Sequence, residues 1–300
     1  MSLTNELQVS PADAGLPILP KPSLSFLEAE PGEIVIQPSI GWIPINWKEL
    51  VEFRELLFFL SLRDVKIRYK QTVLGVAWAV LQPLLTMIIF SLIFGRLVGI
   101  ASQGVPYPLF VFAGLIPWMF FSSGVTAATS SLVQQQHLLT KIYFPRLFVP
   151  TASIGAFLVD MLVSMALYAV ILLAYGAIPG WRILLLPVLI VFTITATLGP
   201  GYFLSALTVK YRDVRYTVPF LMQIMMYTSP VIYPVSIFGR WQWLLAMNPM
   251  CGLIDAYRSV ILGTSWNPVT LAIGMPINVA MFVFGVFYFR KTERLFADIA

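Results

Sequence analysis

Long stretches of this chain carry no charge, among them residues 71–95, 183–209 and 259–289, which contain no Asp, Glu, Lys or Arg. Each exceeds the roughly 20 predominantly apolar residues that a helix needs to cross a bilayer. They decide the fold class, which is an all-α polytopic membrane protein. Composition agrees: 58% of the 300 residues are apolar and 11% are charged, where a soluble domain carries about 25% charged residues. The net charge of +5 does not imply nucleic acid, because the basic residues sit between hydrophobic runs rather than on one soluble face. One cysteine, Cys251, excludes an internal disulfide and a cysteine metal cluster, and one histidine, His137, excludes multi-histidine sites. The N-terminus lacks the apolar core of a signal peptide.

The chain divides into three parts. Residues 1–44 hold seven prolines and form a proline-rich extension, extended or disordered, in which 33–37 is apolar enough for a short strand. Residues 45–70 begin with a helix start at Asn46, with Glu49 three residues on and Ile45 and Leu50 as the staple. They are too charged to span, and they predict an amphipathic interface helix on the membrane surface. Residues 71–300 form a six-span domain, with spans expected near 73–95, 109–133, 148–175, 183–209, 217–235 and 269–289. The apolar but interrupted stretch 236–266 reads as a re-entrant helical hairpin between spans five and six, because irregular backbone at membrane depth must be buried in protein. A seventh span is the alternative. With six spans, fourteen Lys and Arg from Lys48 onward fall on the side of both termini, and only Arg96, Arg182, Arg240 and Arg258 on the other. That asymmetry places both termini in the cytoplasm.

No catalytic constellation is present. The chain has no Gly-x-x-x-x-Gly-Lys-Ser/Thr phosphate loop, no His-Glu-x-x-His and no Gly-x-Ser-x-Gly. Asp160 is the one ionisable residue well inside a span, and ionisable groups there mark ion or proton pathways. A lone carboxylate is more often a hydrogen-bonded helix-packing residue, so the energy source lies outside the chain. The segments between spans are more informative. Arg63-Asp64-Val65-Lys66-Ile67-Arg68-Tyr69 precedes span one, and Lys210-Tyr211-Arg212-Asp213-Val214-Arg215-Tyr216 precedes span five. Both carry Arg-Asp-Val and then Arg-Tyr. A positive-inside belt explains the Arg and Lys, but not the paired Asp and Tyr. A third segment, Leu139-Thr140-Lys141-Ile142-Tyr143-Phe144-Pro145-Arg146, joins spans two and three. Short elements held on span ends are suited to receive force from a docked soluble subunit.

These segments, with Arg68–Ala79, Leu81-Gln82-Pro83, Ala113–Phe121, Ser229–Pro234 and Asn248-Pro249-Met250, carry a resemblance. The chain resembles the membrane subunit of ABC-2 type polysaccharide export transporters, the group serving O-antigen, capsule and teichoic acid. The similarity runs from about Asn46 to Arg294 and leaves 1–44 unmatched. It implies a permease subunit that is not an enzyme, in a bacterial inner membrane. This chain would form a homodimer around a channel, above two copies of a separate P-loop ATPase. ATP and Mg would be bound by that partner, with no cofactor in this chain. The substrate would be a lipid-linked polysaccharide. Residues 137–147, with Thr140, Lys141, Ile142, Tyr143, Phe144, Pro145 and Arg146, would be the main ATPase-coupling element, and 210–216, with Tyr211, Arg212 and Asp213, the second. Arg63, Asp64, Lys66, Arg68 and Tyr69 would belong to the interface helix beside the ATPase. The hairpin at 236–264 would sit at the outer channel mouth.

Aromatic residues make up 14% of the chain. Aromatic faces can pack on successive sugar rings weakly enough for a polymer to advance, as conduction requires. Tyr107, Trp118, Phe120, Phe121, Tyr227, Tyr233 and Trp241 are the channel-lining candidates, although Trp and Tyr also gather at membrane interfaces. The rival readings are an ABC-2 exporter of a drug or small lipid, a membrane-embedded glycosyl- or acyltransferase, and an ion-coupled transporter. The second would need clustered acids or histidines. The third would need repeated spans with ionisable groups at mid-membrane.

Overall fold

The structure is a computed structural model that describes residues 47–70, 77–139, 141 and 144–293. The proline-rich extension, its expected strand, the Asn46 cap and the start of span one therefore lie outside the described residues. Every regular element among the described residues is helical. Two helices lead in, α1 (Trp47–Glu52) and α2 (Arg54–Lys70), broken at Phe53. α2 packs along α6 (Phe148–Ala174): Leu60 joins a core with Phe148 and Ala152, and Ser61 sits against Gly155. Its other side exposes Phe58, Phe59 and Ile67 among charged residues, so apolar and charged side chains are mixed around α2 rather than sorted onto the two faces that the amphipathic reading expects.

Five helical segments are long and apolar enough to cross a membrane: Ala77–Leu97, Tyr107–Gln134, Phe148–Ala174, Trp181–Lys210 and Pro268–Thr292. In the first, α3 (Ala77–Phe90) runs into a π-helical stretch, Ser91–Leu97. The central helix is α4 (Tyr107–Gln134). It has no charged residue and is buried along most of its length, packed against α3, α6, α7 (Leu186–Lys210), α8 (Val214–Thr228) and α10 (Pro249–Leu262). A helix apolar on all sides is buried by its neighbours rather than by lipid on one face. The last long helix, α11 (Pro268–Thr292), crosses α7 where two glycines meet. A Cβ on Gly285 would overlap the Gly199 carbonyl, and one on Gly199 would lie 2.9 Å from the Met281–Phe282 peptide. Small residues let helix backbones approach this closely in lipid. Polar bonds add to the joint, as Asn278 Nδ2 donates to the Phe192 carbonyl at 2.9 Å.

The expected fifth span differs. α8 has 15 residues, which is about 22 Å of helix against the roughly 30 Å of a hydrocarbon core. It stops because Pro230 forces the preceding residue out of helical geometry, and Ser229 is extended at φ −91°, ψ 146°. Residues 229–234 are then non-helical and mostly buried, and a 3-10 helix, Val235–Trp241, follows. The hairpin region contains two short helices, α9 (Gln242–Ala246) and α10, the second being 14 residues long and buried almost throughout. The alternative seventh span is not among the five long helices. Two Asn-Pro pairs start α10 and α11. The Asn248 side chain caps the Met250 N–H, Asn267 caps Val269 and Thr270, and each proline fills a first-turn position that needs no donor. Gly263, at φ 72°, closes α10 in a left-handed turn. The short α5 (Gln136–Leu139) completes the set.

Candidate functional site

The connection from α4 to α6 is short and heavily tied. α4 ends as the Gln135 N–H bonds back to the Ser131 carbonyl. α5 follows, and Lys141 is exposed. Thr140, Ile142 and Tyr143 lie outside the described residues. Phe144 is buried in a second core with Leu147 and Phe148, shared by Leu60 of α2, Leu132 of α4, Tyr202 of α7 and Phe289 of α11. Pro145 is buried beside it. Arg146 Nη1 donates to the Glu293 carbonyl at 2.7 Å, which ties the connection to the end of α11. A push on this connection is therefore delivered to four other helices at once, because packed interiors transmit strain.

Tyr211, Arg212 and Asp213 form the exposed turn between α7 and α8. The Tyr211 N–H closes α7 on the Leu207 carbonyl at 2.8 Å, and the Asp213 carbonyl accepts from the N–H groups of Tyr216 and Thr217. The turn is fixed in its backbone and open in its side chains.

The two Arg-Asp-Val…Arg-Tyr segments, alike in sequence, are used differently. In the second, Arg215 lies over the ring of its neighbour Tyr216 and donates to its hydroxyl at 2.7 Å. In the first, Arg63 pairs with adjacent Asp64 at 2.8 Å, while Arg68 and Tyr69 reach across to Asp160 of α6. Arg68 Nη2 lies 2.7 Å from one carboxylate oxygen, and the Tyr69 hydroxyl donates to the other. The Arg68 guanidinium also stacks 4.3 Å above the Phe157 ring. Asp160 is thus the hydrogen-bonded packing residue of the two readings open for it, and it joins the interface helix to a span. Burial first, and the bond to Asp160 second, push the Tyr69 phenol up to about 12. Tyr69 is therefore a donor at neutral pH, and the stability this adds is complete below pH 10 and lost as pH rises toward 12.

Two cavities flank this pair, and Arg68 and Phe157 wall both. One, of about 200 Å³, lies between α2, α3, α4 and α6 beside Trp78, Gln82 and Asp160. The other, of about 570 Å³, is lined by Arg63, Asp64, Gln134, Gln135 and His137. Lys66 is exposed on the far side of α2.

The aromatic candidates separate by position. Trp118, Phe120 and Phe121 are buried inside this chain at 2–3% exposure, as packing residues of α4. Tyr107 is half-buried and donates to the Ile232 carbonyl at 2.7 Å. Tyr227 and Trp241 are exposed, and the Tyr233 hydroxyl donates to the Tyr227 carbonyl at 2.9 Å. Arg258 is a residue whose place the sequence reading misses. The charge count assigns it to the outer side and names no partner for it; it is fully buried on α10, and its guanidinium lies 3.6 Å from the Phe110 ring. The available signal is a charged residue within an apolar run, which is costly unless it is bonded.

The profile of the ABC-2 type transporter family matches residues 55–262, from α2 to the end of α10. The chain belongs to the ABC-2 type transporter family. It is a multi-pass membrane protein and, as a permease of this family, a transporter subunit rather than an enzyme. It is 35% identical to the O-antigen export system permease protein of Myxococcus xanthus, over 71% of this chain and 82% of the relative. A permease of the same description from Klebsiella pneumoniae is 27% identical, over 82% of this chain and 95% of the relative. The polysialic acid transport protein of Escherichia coli is 24% identical, over 74% and 86%. The ABC-2 match covers the Arg68–Asp160 tie, the 134–148 connection, the Tyr211–Asp213 turn and Arg258 alike.

Proposed function

We propose that this chain is the permease subunit of an ATP-driven exporter that moves a lipid-linked polysaccharide from the cytoplasm across the bacterial inner membrane. The observation that carries this reading is the family match over 55–262, joined to relatives named for O-antigen export and polysialic acid transport. Two copies of this chain form the path, and two copies of a separate P-loop ATPase bind ATP and Mg beneath it. Both termini face the cytoplasm, in keeping with the Lys and Arg asymmetry. Residues 236–264 then lie at the outer mouth.

In this mechanism, closure of the ATPase dimer pushes on 137–147 and 210–216, and the tied connection at 144–148 carries the movement into α2, α7 and α11. The polymer passes along exposed aromatics. Tyr216, Phe220, Gln223 and Tyr227 recur at helical spacing on the open side of α8. Ring faces interleaved with amide and phenol groups suit a sugar chain better than they suit lipid tails.

Purification of this chain co-expressed with its neighbouring ATPase, followed by mass determination, tests the assembly. A complex of two permease and two ATPase chains is expected, and a permease that purifies alone would remove the energy source. Tyr143→Ala and Arg146→Ala are expected to lower export about tenfold or more, as loss of a bond to a charged group implies for Arg146, while leaving the isolated ATPase unaffected. Export at the unsubstituted rate in both variants would show that 137–147 is not the coupling element.

A further inference from the structure

The break at Ser229–Pro230 leaves three consecutive carbonyls, those of Val231, Ile232 and Tyr233, without helix N–H partners. A buried carbonyl without a partner is costly. Each of these three takes a side-chain donor instead. Arg258 Nη2 donates to Val231 O at 2.6 Å, Tyr107 Oη to Ile232 O at 2.7 Å, and Arg258 Nη1 reaches Tyr233 O at 3.5 Å. Arg258 Nε donates to Phe110 O at 3.1 Å, so one guanidinium bridges α10, α4 and the broken segment. Room for it comes from Gly114, where a Cβ would lie 2.7 Å from Nη2. Asn248 Nδ2 holds the start of the same segment through Ser229 Oγ at 2.8 Å. Among the described residues no carboxylate forms an ion pair with Arg258. Asp255, one turn earlier on α10, accepts from the Asn267 N–H instead. A buried charge committed to neutral backbone carbonyls is an uncommon use of an arginine, and it has one local effect here. It fixes the path of residues 229–234, and with it the Tyr233 ring that bonds to the Tyr227 carbonyl at the open surface.

We propose that Arg258 is a positioning residue of the export path: it pins the non-helical segment 229–234 to α4 and α10, and so sets the Tyr227–Tyr233 pair against which the polymer moves. The proposal rests on the polysaccharide-export reading. The planar fork is essential to it, since it serves several carbonyls at fixed angles and a lysine ammonium cannot. Tyr107, expected as a channel-lining residue, acts as the second pin.

The test uses the complete permease–ATPase complex in lipid nanodiscs, with buried Cys251 replaced by Ala. A cysteine is placed at Ile232, which is 3% exposed, or at Ala128 of α4, which is fully buried, and reaction with a charged, water-soluble maleimide is timed. Arg258→Lys and, independently, Tyr107→Phe should speed labelling of Ile232→Cys about tenfold or more, the factor that loss of one such bond implies for local opening. Labelling of Ala128→Cys should not change. In the same variants export should fall while ATP hydrolysis continues. Unchanged labelling at 232 would overturn the proposal. Equal acceleration at 232 and 128 would also overturn it, because Arg258 would then support the whole fold rather than the segment. A loosened segment with undiminished export would overturn the link to the path. The labelling reads the pin whether or not the complex exports a glycan, so failure of the pin and failure of the export reading are distinguished.

Discussion

Asp160→Ala is expected to lower the thermal midpoint of the purified permease by roughly 4–8 °C and to cut ATP-driven export about tenfold or more. Asp160 accepts from Arg68 and Tyr69, and hydrogen bonds to a charged group contribute about 1.5–3 kcal/mol each. The Arg68 side chain is 40% exposed and recovers water when its partner is lost, so the net loss is nearer about 2 kcal/mol, or roughly 2–4 °C per kcal/mol in a chain of this size. The export defect has a separate origin. These contacts tie the last turn of α2 to α6, twelve residues beyond the start of that helix. A movement of the interface helix cannot reach the spans by this route once they are gone. The double variant Arg68→Met/Asp160→Leu separates the two effects, because an apolar pair can replace a part-buried ion pair with little loss of stability. Its thermal midpoint should return most of the way, less the contribution of the Tyr69 bond, while export stays low. Export that recovers along with stability would show that the pair holds the fold and transmits nothing.

The spans whose helices run on unbroken, even past Pro117 and Pro276, are legible in the sequence. The expected 109–133 is Tyr107–Gln134, 148–175 is Phe148–Ala174, and 269–289 is Pro268–Thr292. The sequence reading extends the fifth span through Ser229-Pro230 because the apolar run continues there, and hydropathy does not register that proline removes a donor and bends the residue before it. The same break hides the role of Arg258. Two carbonyls, those of Val231 and Tyr233, need that guanidinium only because the helix stops, so the charge in an apolar run shows that a partner is required but not which one. Tyr69 and Asp160 are 91 positions apart, and no pattern joins them. Trp118, Phe120 and Phe121 are channel candidates on aromatic chemistry alone. The stronger signal is the lack of any charge across the 28 residues of α4, which marks a helix enclosed by its own chain. The residues proposed for coupling, on the 134–148 connection and at 211–213, are legible as segments. Their supports are not: the Glu293 carbonyl behind Arg146 comes from chain 147 residues away, and the shared core beneath Phe144 from several other helices.

The glycine pair at the crossing of α7 and α11 sets the second large effect. Gly285→Ala places a methyl group where the Gly199 carbonyl already sits, and the obstacle is backbone rather than a side chain that can turn aside. Overpacking of this kind costs about 1–3 kcal/mol when the surroundings can shift. Here the helices must separate, and α7 and α11 also share the Phe192–Asn278 bond and the ring contact of Tyr202 with Phe289. Gly285→Leu is therefore expected to abolish the folded permease, seen as loss of the monodisperse peak in detergent, and Gly285→Ala to lower the midpoint by roughly 5–10 °C. Gly180→Ala is the matched control. Its φ of −76° suits any residue and no atom lies within 4 Å of the added carbon, so it should change stability by less than about 0.5 kcal/mol. The crossing is continuous with the core that anchors the 134–148 connection, since Tyr202 and Phe289 belong to the two helices and to that core. A Gly285→Ala permease that still assembles with its ATPase should accordingly hydrolyse ATP with reduced export. A normal midpoint and normal export in Gly285→Ala would mean that the two helices do not meet at these glycines, and the packing described for α7 and α11 would be wrong.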